Sequence, residues 1–193
     1  MREAGSAARI SEHMTSELNI TADQPILTSA RLILRPLQPS DTGPLALHTA
    51  DRRVAEGTRS IPHPLPPGAT EQFIGRAMAS DREEDVWVLD GSGVGSSSVL
   101  GLLSLKHLDR AQSQIGFWVA PAFWNAGYAS EAVRAIIKAN PHESRTLFAE
   151  VFQDNAASAH VLTNAGFDYL GDAEAYSIAR RTNVPTWTYI RRM

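Results

Sequence analysis

Cysteine is absent from the 193-residue sequence. That absence excludes disulfide bridges, thiolate metal ligands and a cysteine nucleophile. An excess of one charge is also missing: 18 Lys and Arg face 21 Asp and Glu, for a formal net charge of −3, so bulk charge does not predict binding to nucleic acid or to an anionic membrane. No apolar run approaches the roughly 18–20 residues that a membrane-spanning helix requires. We therefore expect a cytoplasmic protein with no membrane and no nucleic-acid partner.

The composition that remains is that of an ordinary globular protein. Hydrophobic residues make up 43% and charged residues 20%, which is sufficient for one buried core in a chain of single-domain length. Residues 1–24 carry scattered charges and only isolated aliphatic side chains. They are expected to form a flexible tail, the alternative being a short arm that docks on the domain or on a second subunit. Residues 25–193 are predicted to form one domain.

Hydrophobic periodicity predicts strands from the first part of the domain onward, with helices early and late in the chain. Strand patterns fall at 31–35, 85–89, 99–107, 114–119, 146–152 and 186–190, and helical patterns at 39–51, 70–78, 129–140 and 158–165. The helix after residue 128 has the clearest signal, an apolar stripe at helical spacing formed by Ala129, Ala132, Val133, Ile136 and Ile137. This order predicts an α+β fold with a mixed, mostly antiparallel central sheet.

Two glycine-containing segments are candidates for a phosphate site. The run Gly91–Gly95 precedes a strand rather than a helix, so it resembles a nucleotide loop only superficially. Gly127, in contrast, lies between a predicted strand and a predicted helix, in the segment WVAPAFWNAGYASE. The unpaired amides and the dipole of a helix start accept anions without a cationic side chain. The segment is therefore either an anion site or a plain strand-turn-helix connection.

The same segment resembles a known family. Residues 114–131 resemble the acyl-CoA-binding segment of the GNAT N-acetyltransferase superfamily, and 120–132 are similar to its ribosomal-protein N-acetyltransferase (RimJ/RimL-like) branch. A second motif follows at the expected distance, with Asn155–Ser158, Val161–Leu162 and Ala165–Phe167. The opening strand 31–36 and the loop 61–64 also look like this branch. The resemblance extends over residues 28–192.

The resemblance implies a GNAT-like fold whose sheet is splayed between the predicted fourth and fifth strands and flanked by helices. It implies acetyl-CoA as cosubstrate, with pantetheine pairing along a strand edge and the diphosphate on the amides of a helix start. The Val119 N–H is then the group that stabilises the tetrahedral oxyanion. The cofactor-binding residues implied are Phe117, Trp118, Val119, Asn125, Ala126, Gly127, Tyr128, Ala129, Ser130 and Asn155.

Two positions depart from the family pattern. Asn125 stands where the family commonly has its first glycine, and because asparagine tolerates positive φ we expect the turn to form. The alternative is weaker CoA binding, or a side-chain contact in place of a backbone one. Leu162 stands where much of the superfamily has the tyrosine that protonates the thiolate. The resemblance implies Ser158 as the acid instead, unless its hydroxyl bonds the carbonyl four residues earlier.

Other polar residues have weaker support from the sequence. Asn155 is predicted to cap its helix as well as to hold pantetheine. The candidates for a general base are Glu150 and Glu174, and water-mediated deprotonation is the alternative. His63 is a candidate for the acceptor pocket. Trp124 is expected to pack in the core, the alternative being that it flanks the cofactor. The arginine pairs at 180–181 and 191–192 are expected to lie on the surface, the alternative being a contact with the adenosine phosphate. His107 and His160 lack metal-ligand spacing and are expected to bind no metal.

The sequence therefore predicts an acetyl-CoA-dependent N-acetyltransferase. It would transfer acetyl directly to a primary amine, either a protein N-terminus or a small amine, without a covalent enzyme intermediate. The alternative is a catalytically silent CoA-binding sensor or partner-binding module with the same fold. A homodimer is compatible with this branch, and no metal is expected.

Overall fold

The computed structural model describes residues 24–193. The predicted tail, 1–24, lies outside the described residues except for Gln24, whose Nε2 donates to the Val86 carbonyl at 2.8 Å. Between residues 24 and 193, none of the helices has the length and apolar character that crossing a bilayer demands.

One mixed sheet runs through the described part of the chain. Its strands are β1 Leu27–Thr28, β2 Ile33–Pro36, β3 Glu84–Asp90, β4 Gly101–Leu108, β5 Gln112–Val119, β6 Thr146–Phe152, β7 Asp168–Ser177 and β8 Thr182–Arg192. The strand order is β1-β2-β3-β4-β5-β6-β8-β7. Neighbours are antiparallel except β5 and β6, which are parallel. The predicted α+β class with a mixed, mostly antiparallel sheet is confirmed.

Helices α1 Thr42–Thr49, α2 Arg52–Glu56, α3 Ala69–Ala77, α4 Tyr128–Ala139 and α5 Ala156–Asn164 flank the sheet. The single helix predicted over 39–51 is wrong in its bounds. A 3-10 turn at Pro39–Asp41 precedes α1, and the chain breaks at Asp51, whose backbone is extended with ψ of 122°. The Asp51 carboxylate then accepts from the Arg53 amide and starts α2.

The sequence pattern missed β7 and most of the length of β8. In β7 only Ala175 and Ser177 are buried, so the apolar alternation that announces a strand is absent. The strand forms because its backbone pairs with β8 along nearly its whole length. β8 extends over Thr182–Arg192 rather than 186–190 because it pairs with β6 on one side and β7 on the other.

The core occupies both faces of the sheet. Trp87 and Leu89 of β3 belong to the larger cluster, which packs under α4 and α5. Val86 and Val88, which alternate with them, belong to the cluster under α1 and α3. The central strands are thus covered on both sides, which explains why they read as continuous apolar runs.

The sheet opens between β5 and β6. The two strands pair only over Gln112–Ile115 and Thr146–Ala149. Beyond that point β5 remains paired with β4 as far as Val119, while β6 remains paired with β8 as far as Phe152. The predicted splay between the fourth and fifth predicted strands, now β5 and β6, is confirmed.

Candidate active site

The opening between β5 and β6 leads into a cavity of about 890 Å³. Predicted site residues from both sides meet there, since β5 contributes Phe117 and Trp118 and the start of α5 contributes Asn155 and Ser158. The other walls come from the loop after α2, from α3 and from the end of β7. Val119 and residues 125–130 lie beyond this lining, next to the end of β5.

The free edge of β5 presents backbone groups to the opening. The Ala120 N–H bonds the Leu100 carbonyl at 2.8 Å, so it points toward β4. Because residues along an antiparallel ladder alternate in direction, the N–H groups of Phe117 and Val119 point the other way. The Val119 carbonyl, on the same side, accepts from the Trp124 indole N–H at 2.6 Å. The Val119 N–H is therefore the polar backbone group of this residue that remains for a ligand in the opening.

The turn after β5 is shaped by two residues with positive φ. Asn125 has φ of 60° and Gly127 has φ of 80°. The expectation that asparagine sustains this turn is confirmed, since its left-handed conformation is one that its short polar side chain tolerates. The residues 122 and 124–127 are exposed, so the backbone here is accessible to a ligand.

Six consecutive amides at this turn have no protein acceptor. The first intrahelical bond of α4 runs from the Glu131 N–H to the Gly127 carbonyl at 3.0 Å. Within residues 24–193, the N–H groups of residues 125–130 make no hydrogen bond to the protein. They lie at and just before a helix start, where the dipole adds partial positive charge. The arrangement can bind an anion through backbone groups alone.

The Arg31 side chain contacts this turn and the first turn of α4, and the sequence pattern did not predict this contact. Its Nε donates to Glu131 at 2.8 Å and another guanidinium nitrogen donates to the Ala126 carbonyl at 2.9 Å. The guanidinium carbon also lies 4.5 Å from the centre of the Tyr128 ring. Residues 31 and 131 are far apart in the chain, so no local sequence pattern indicates this contact, and it is seen only in the folded structure.

Glu131 is the main partner of Arg31 in this contact. Its carboxylate accepts from the Ser29 hydroxyl and from the Arg31 amide, both at 2.7 Å. Burial alone would raise the pKa of Glu131, but these hydrogen bonds and the guanidinium outweigh it and hold the pKa below the ordinary value. The negative charge in the first turn of α4 also favours the helix.

The start of α5 forms the other side of the opening. Asn155 caps the helix, since its Oδ1 accepts from the Ser158 N–H at 3.1 Å, and this confirms the predicted cap. The Ser158 hydroxyl is half-buried on the cavity wall and makes no hydrogen bond to any group in residues 24–193, including the carbonyl four residues earlier. Leu162, one turn later, is fully buried.

Of the two candidates for a general base, the structure places only Glu150 in the cavity lining. Glu150 lies on the cavity wall, and its two oxygens accept from Arg59 at 2.6 Å and from the Thr186 hydroxyl at 2.8 Å. Glu174 is exposed on β7 and is not part of the cavity lining. His63 also lies outside the lining, and its Nδ1 is buried without a hydrogen-bond partner among the described residues.

Aromatic and arginine side chains near the site differ from expectation. Trp124 is 47% exposed, so its assignment to the core is wrong, and the Arg53 guanidinium lies 5.6 Å from its ring. Arg180 and Arg191 do more than solvate the surface. Arg180 donates to the Glu56 carbonyl at 2.9 Å and pairs with Asp154. Arg191 donates to the Ala165 and Gly166 carbonyls at the end of α5.

Comparison with known proteins identifies a family whose model matches this chain. Residues 31–168 match the model of the acetyltransferase (GNAT) domain. No curated protein matches this chain in sequence. The solved structures that it resembles share its fold at low sequence identity.

Three of these structures illustrate the likeness. The chain is similar to an acetyltransferase of the GNAT family from Bacillus anthracis, with 20% identity, a TM-score of 0.72 and coverage of 87% of this chain and 98% of that one. It is similar to a Salmonella typhimurium acetyltransferase described as modifying the N-terminal serine of a ribosomal subunit protein, with 17% identity, a TM-score of 0.72 and coverage of 88% and 99%. A spermidine N-acetyltransferase from Vibrio cholerae, in complex with CoA and spermine, matches with 15% identity, a TM-score of 0.68 and coverage of 83% and 96%.

The family match covers more than half of the chain, and the splayed sheet and the amide-lined helix start agree with it. The chain belongs to the GNAT acetyltransferase family.

Proposed function

We propose that the protein transfers acetyl from acetyl-CoA directly to a primary amine, with the acceptor bound in the 890 Å³ cavity. The observation that carries this proposal is the run of six amides, from Asn125 to Ser130, without protein acceptors beside the free edge of β5. Those amides supply donors for a diphosphate, and the edge supplies donors and acceptors for the amide groups of pantetheine.

The cosubstrate is proposed to run from the turn toward the cavity. The diphosphate lies on the amides of residues 125–130, and pantetheine follows β5 along Phe117–Val119. The thioester then reaches the opening between β5 and β6, where Asn155 and Ser158 face it from α5. Asn155 holds pantetheine only through the atoms left free by its capping bond, chiefly its side-chain N–H₂.

The chemistry is an attack by the neutral amine nitrogen on the thioester carbonyl carbon. A C–N bond forms, the carbonyl electrons move onto oxygen, and the Val119 N–H facing the opening stabilises that charge. Collapse of the intermediate breaks the C–S bond and expels the CoA thiolate. Ser158 donates a proton to the thiolate and recovers one from water, which also accepts the proton lost by the amine.

No dedicated base is needed for an acceptor with a peptide α-amino group. Such groups have a pKa of about 7.7–8.0, so a useful fraction is already neutral near physiological pH. Glu150 is held by Arg59 and Thr186, which suits a role in ordering water or the acceptor better than a free base.

The acceptor is a protein N-terminus or a small amine. The charged side chains of the cavity lining are Arg59, Arg76, Lys106, Glu84 and Glu150. Both signs are present, so the cavity does not select a polycation or a polyanion by charge alone. The similar structures include enzymes described as acting on a ribosomal protein and on spermidine, and action on a ribosomal protein would place this enzyme in the cytoplasm.

The first experiment measures CoA binding and turnover separately. Calorimetry with CoA and release of free thiol from acetyl-CoA are followed for the wild type with a panel of peptides bearing free N-termini and of polyamines. Binding with turnover of one acceptor class supports the proposal, whereas tight binding with no turnover across the panel supports a silent CoA sensor.

The variant Gly127→Val tests the diphosphate site. Valine is strongly disfavoured at φ of 80°, so the turn must rearrange, and we expect at least a tenfold loss of CoA affinity, corresponding to about 1.4 kcal/mol. Gly75→Val is the matched control, because Gly75 is an exposed glycine within α3, no proline follows it, and a Cβ there meets nothing within 4 Å. Unchanged CoA affinity in a folded Gly127→Val protein would contradict the site.

A further inference from the structure

A cluster of histidine and aspartate side chains lies at the end of β5 opposite the proposed diphosphate turn. It comprises Asp85 at the start of β3, His107 at the end of β4 and His142 in the loop after α4. The prediction of no metal rested on sequence spacing around His107 and His160. The fold brings together three residues that are far apart in the chain, and spacing cannot reveal such a group.

We infer that Asp85, His107 and His142 form a binding site for a zinc-class divalent cation. One donor atom from each of the three residues lies within 4.8 Å of the others. The shortest separation, 2.9 Å, joins Asp85 Oδ2 and His142 Nε2. Two imidazoles and one carboxylate form a ligand set typical of Zn²⁺ and also accepted by Co²⁺ and Ni²⁺.

Two of the three ligands are already held by neighbours. His142 Nδ1 lies 3.0 Å from the Ser113 hydroxyl, which lies 2.8 Å from the Ser144 hydroxyl. When Nδ1–H donates to Ser113, the lone pair of Nε2 is free to face a cation beside Asp85. Supporting contacts of this kind orient histidine ligands in metal sites.

The carboxylate is oriented in the same way. Arg82 Nε donates to Asp85 Oδ1 at 2.6 Å, so Oδ2 is the oxygen directed at His142. In a tetrahedral site with bonds of about 2.1 Å the two donor atoms would be about 3.4 Å apart, so a shift of about half an ångström converts the hydrogen bond into a shared cation. The side chains of His142 and Asp85 are 3% and 13% exposed, which shields this half of the site.

His107 completes the site by turning. Its ring is stacked on that of His142, with centroids 3.5 Å apart and planes 10° apart. Parallel rings cannot both direct in-plane lone pairs at one ion, so coordination requires His107 to rotate out of the stack. His107 is exposed at a strand end, and this makes the rotation possible without repacking the core. Water fills the fourth position on the exposed side.

The test uses the full chain, freed of metal with a chelator, and ZnCl₂ as the probe. Calorimetry is expected to show one Zn²⁺ per chain, and Co²⁺ is expected to give the visible absorption of a tetrahedral site. At about a hundredfold excess over Kd, Zn²⁺ should raise Tm by about 5–10 °C, since it binds only the folded chain.

His107→Ala removes the exposed ligand with the least risk to folding. It should lower the Zn²⁺ affinity at least tenfold and abolish the tetrahedral Co²⁺ spectrum. His160→Ala is the matched control, because His160 is an exposed histidine on α5 that bonds to Asn164 and is not part of the cluster. Equal Zn²⁺ affinity in the His107→Ala variant and the wild type, or binding that His160→Ala reduces equally, would show surface binding only and overturn the inference.

Discussion

Asn125 illustrates how one backbone angle sets the shape of the proposed diphosphate turn. Its φ of 60° is one that glycine adopts freely and that asparagine tolerates. We expect Asn125→Gly to retain CoA affinity within about twofold, whereas Asn125→Val should weaken CoA binding because a β-branched residue is a true outlier at this angle. Calorimetry on both variants checks this, and equal affinities would mean that the turn does not need the left-handed conformation.

Ser158 is the second position where a single side chain decides the outcome. Its hydroxyl lies on the cavity wall, and its amide is already used by the Asn155 cap. Ser158→Ala should therefore lower kcat about a hundredfold while the Kd for CoA changes little, as expected when a proton donor is lost. Thr163→Ala, at an exposed position of the same helix, is the control, and an unchanged kcat for Ser158→Ala would remove Ser158 as the acid.

Residue-scale features with a local cause were predictable from the sequence. The Asn155 cap and the left-handed conformation of Asn125 follow from side-chain chemistry and chain neighbours. The contact of Arg31 with the turn before α4 and the ion pair of Arg59 with Glu150 were not predictable, because residues distant in sequence meet there.

At the scale of elements, the segment before β2 is bonded to the start of α4. Arg31 forms an ion pair with Glu131 of α4 and donates to the Ala126 carbonyl of the preceding turn. Glu131→Gln weakens this contact, and we expect it to reduce the free energy of unfolding by about 1 kcal/mol at neutral pH, since Arg31 is 39% exposed and solvent screens the pair. Urea unfolding measures this difference.

The same contact predicts a pH dependence. The pKa of Glu131 is lower in the folded protein than its ordinary value of 4.5. Its stabilising contribution is therefore complete above that ordinary value and is lost as the pH falls through the folded one. The difference in unfolding free energy between wild type and Glu131→Gln should be full above pH 4.5 and shrink as the pH falls below that value. A difference that stays constant between neutral and acidic pH would contradict the assignment.

The helices and strands differ in how well the hydrophobic pattern of the sequence predicts them. The stripe of α4 was predicted because burial against the sheet imposes the helical period, and Ala132, Val133 and Ile136 are buried as expected. β7 was missed because it lies at the edge with most side chains in water, and pairing with β8 alone specifies it.

At the scale of the whole molecule, the β7–β8 hairpin closes the cavity against the loop after α2. Tyr176 and Ile178 contribute to the lining, and the Ile178 N–H bonds the Arg59 carbonyl at 3.0 Å. Arg180 fastens the hairpin to the Glu56 carbonyl and to Asp154, next to Asn155. The wall of the proposed acceptor cavity therefore depends on contacts outside the cavity.

Arg180→Met should loosen that wall while keeping the apolar stem over Phe152. We expect KM for the acceptor to rise about tenfold, corresponding to roughly 1.4 kcal/mol, with KM for acetyl-CoA nearly unchanged. Arg181→Met, at the exposed neighbouring position, is the control. Equal rises in both KM values would indicate general loosening rather than a wall for the acceptor.

The short parallel pairing of β5 with β6 has a mechanical consequence. Within residues 24–193, β5 and β6 are paired over only four residue pairs. The half-sheets β1–β5 and β6–β8 are therefore joined by far less backbone bonding than either one contains. A cosubstrate bound along the free edge of β5, as proposed, would replace part of the missing strand pairing and couple the two half-sheets. Cosubstrate occupancy and rigidity of the enzyme should therefore rise and fall together.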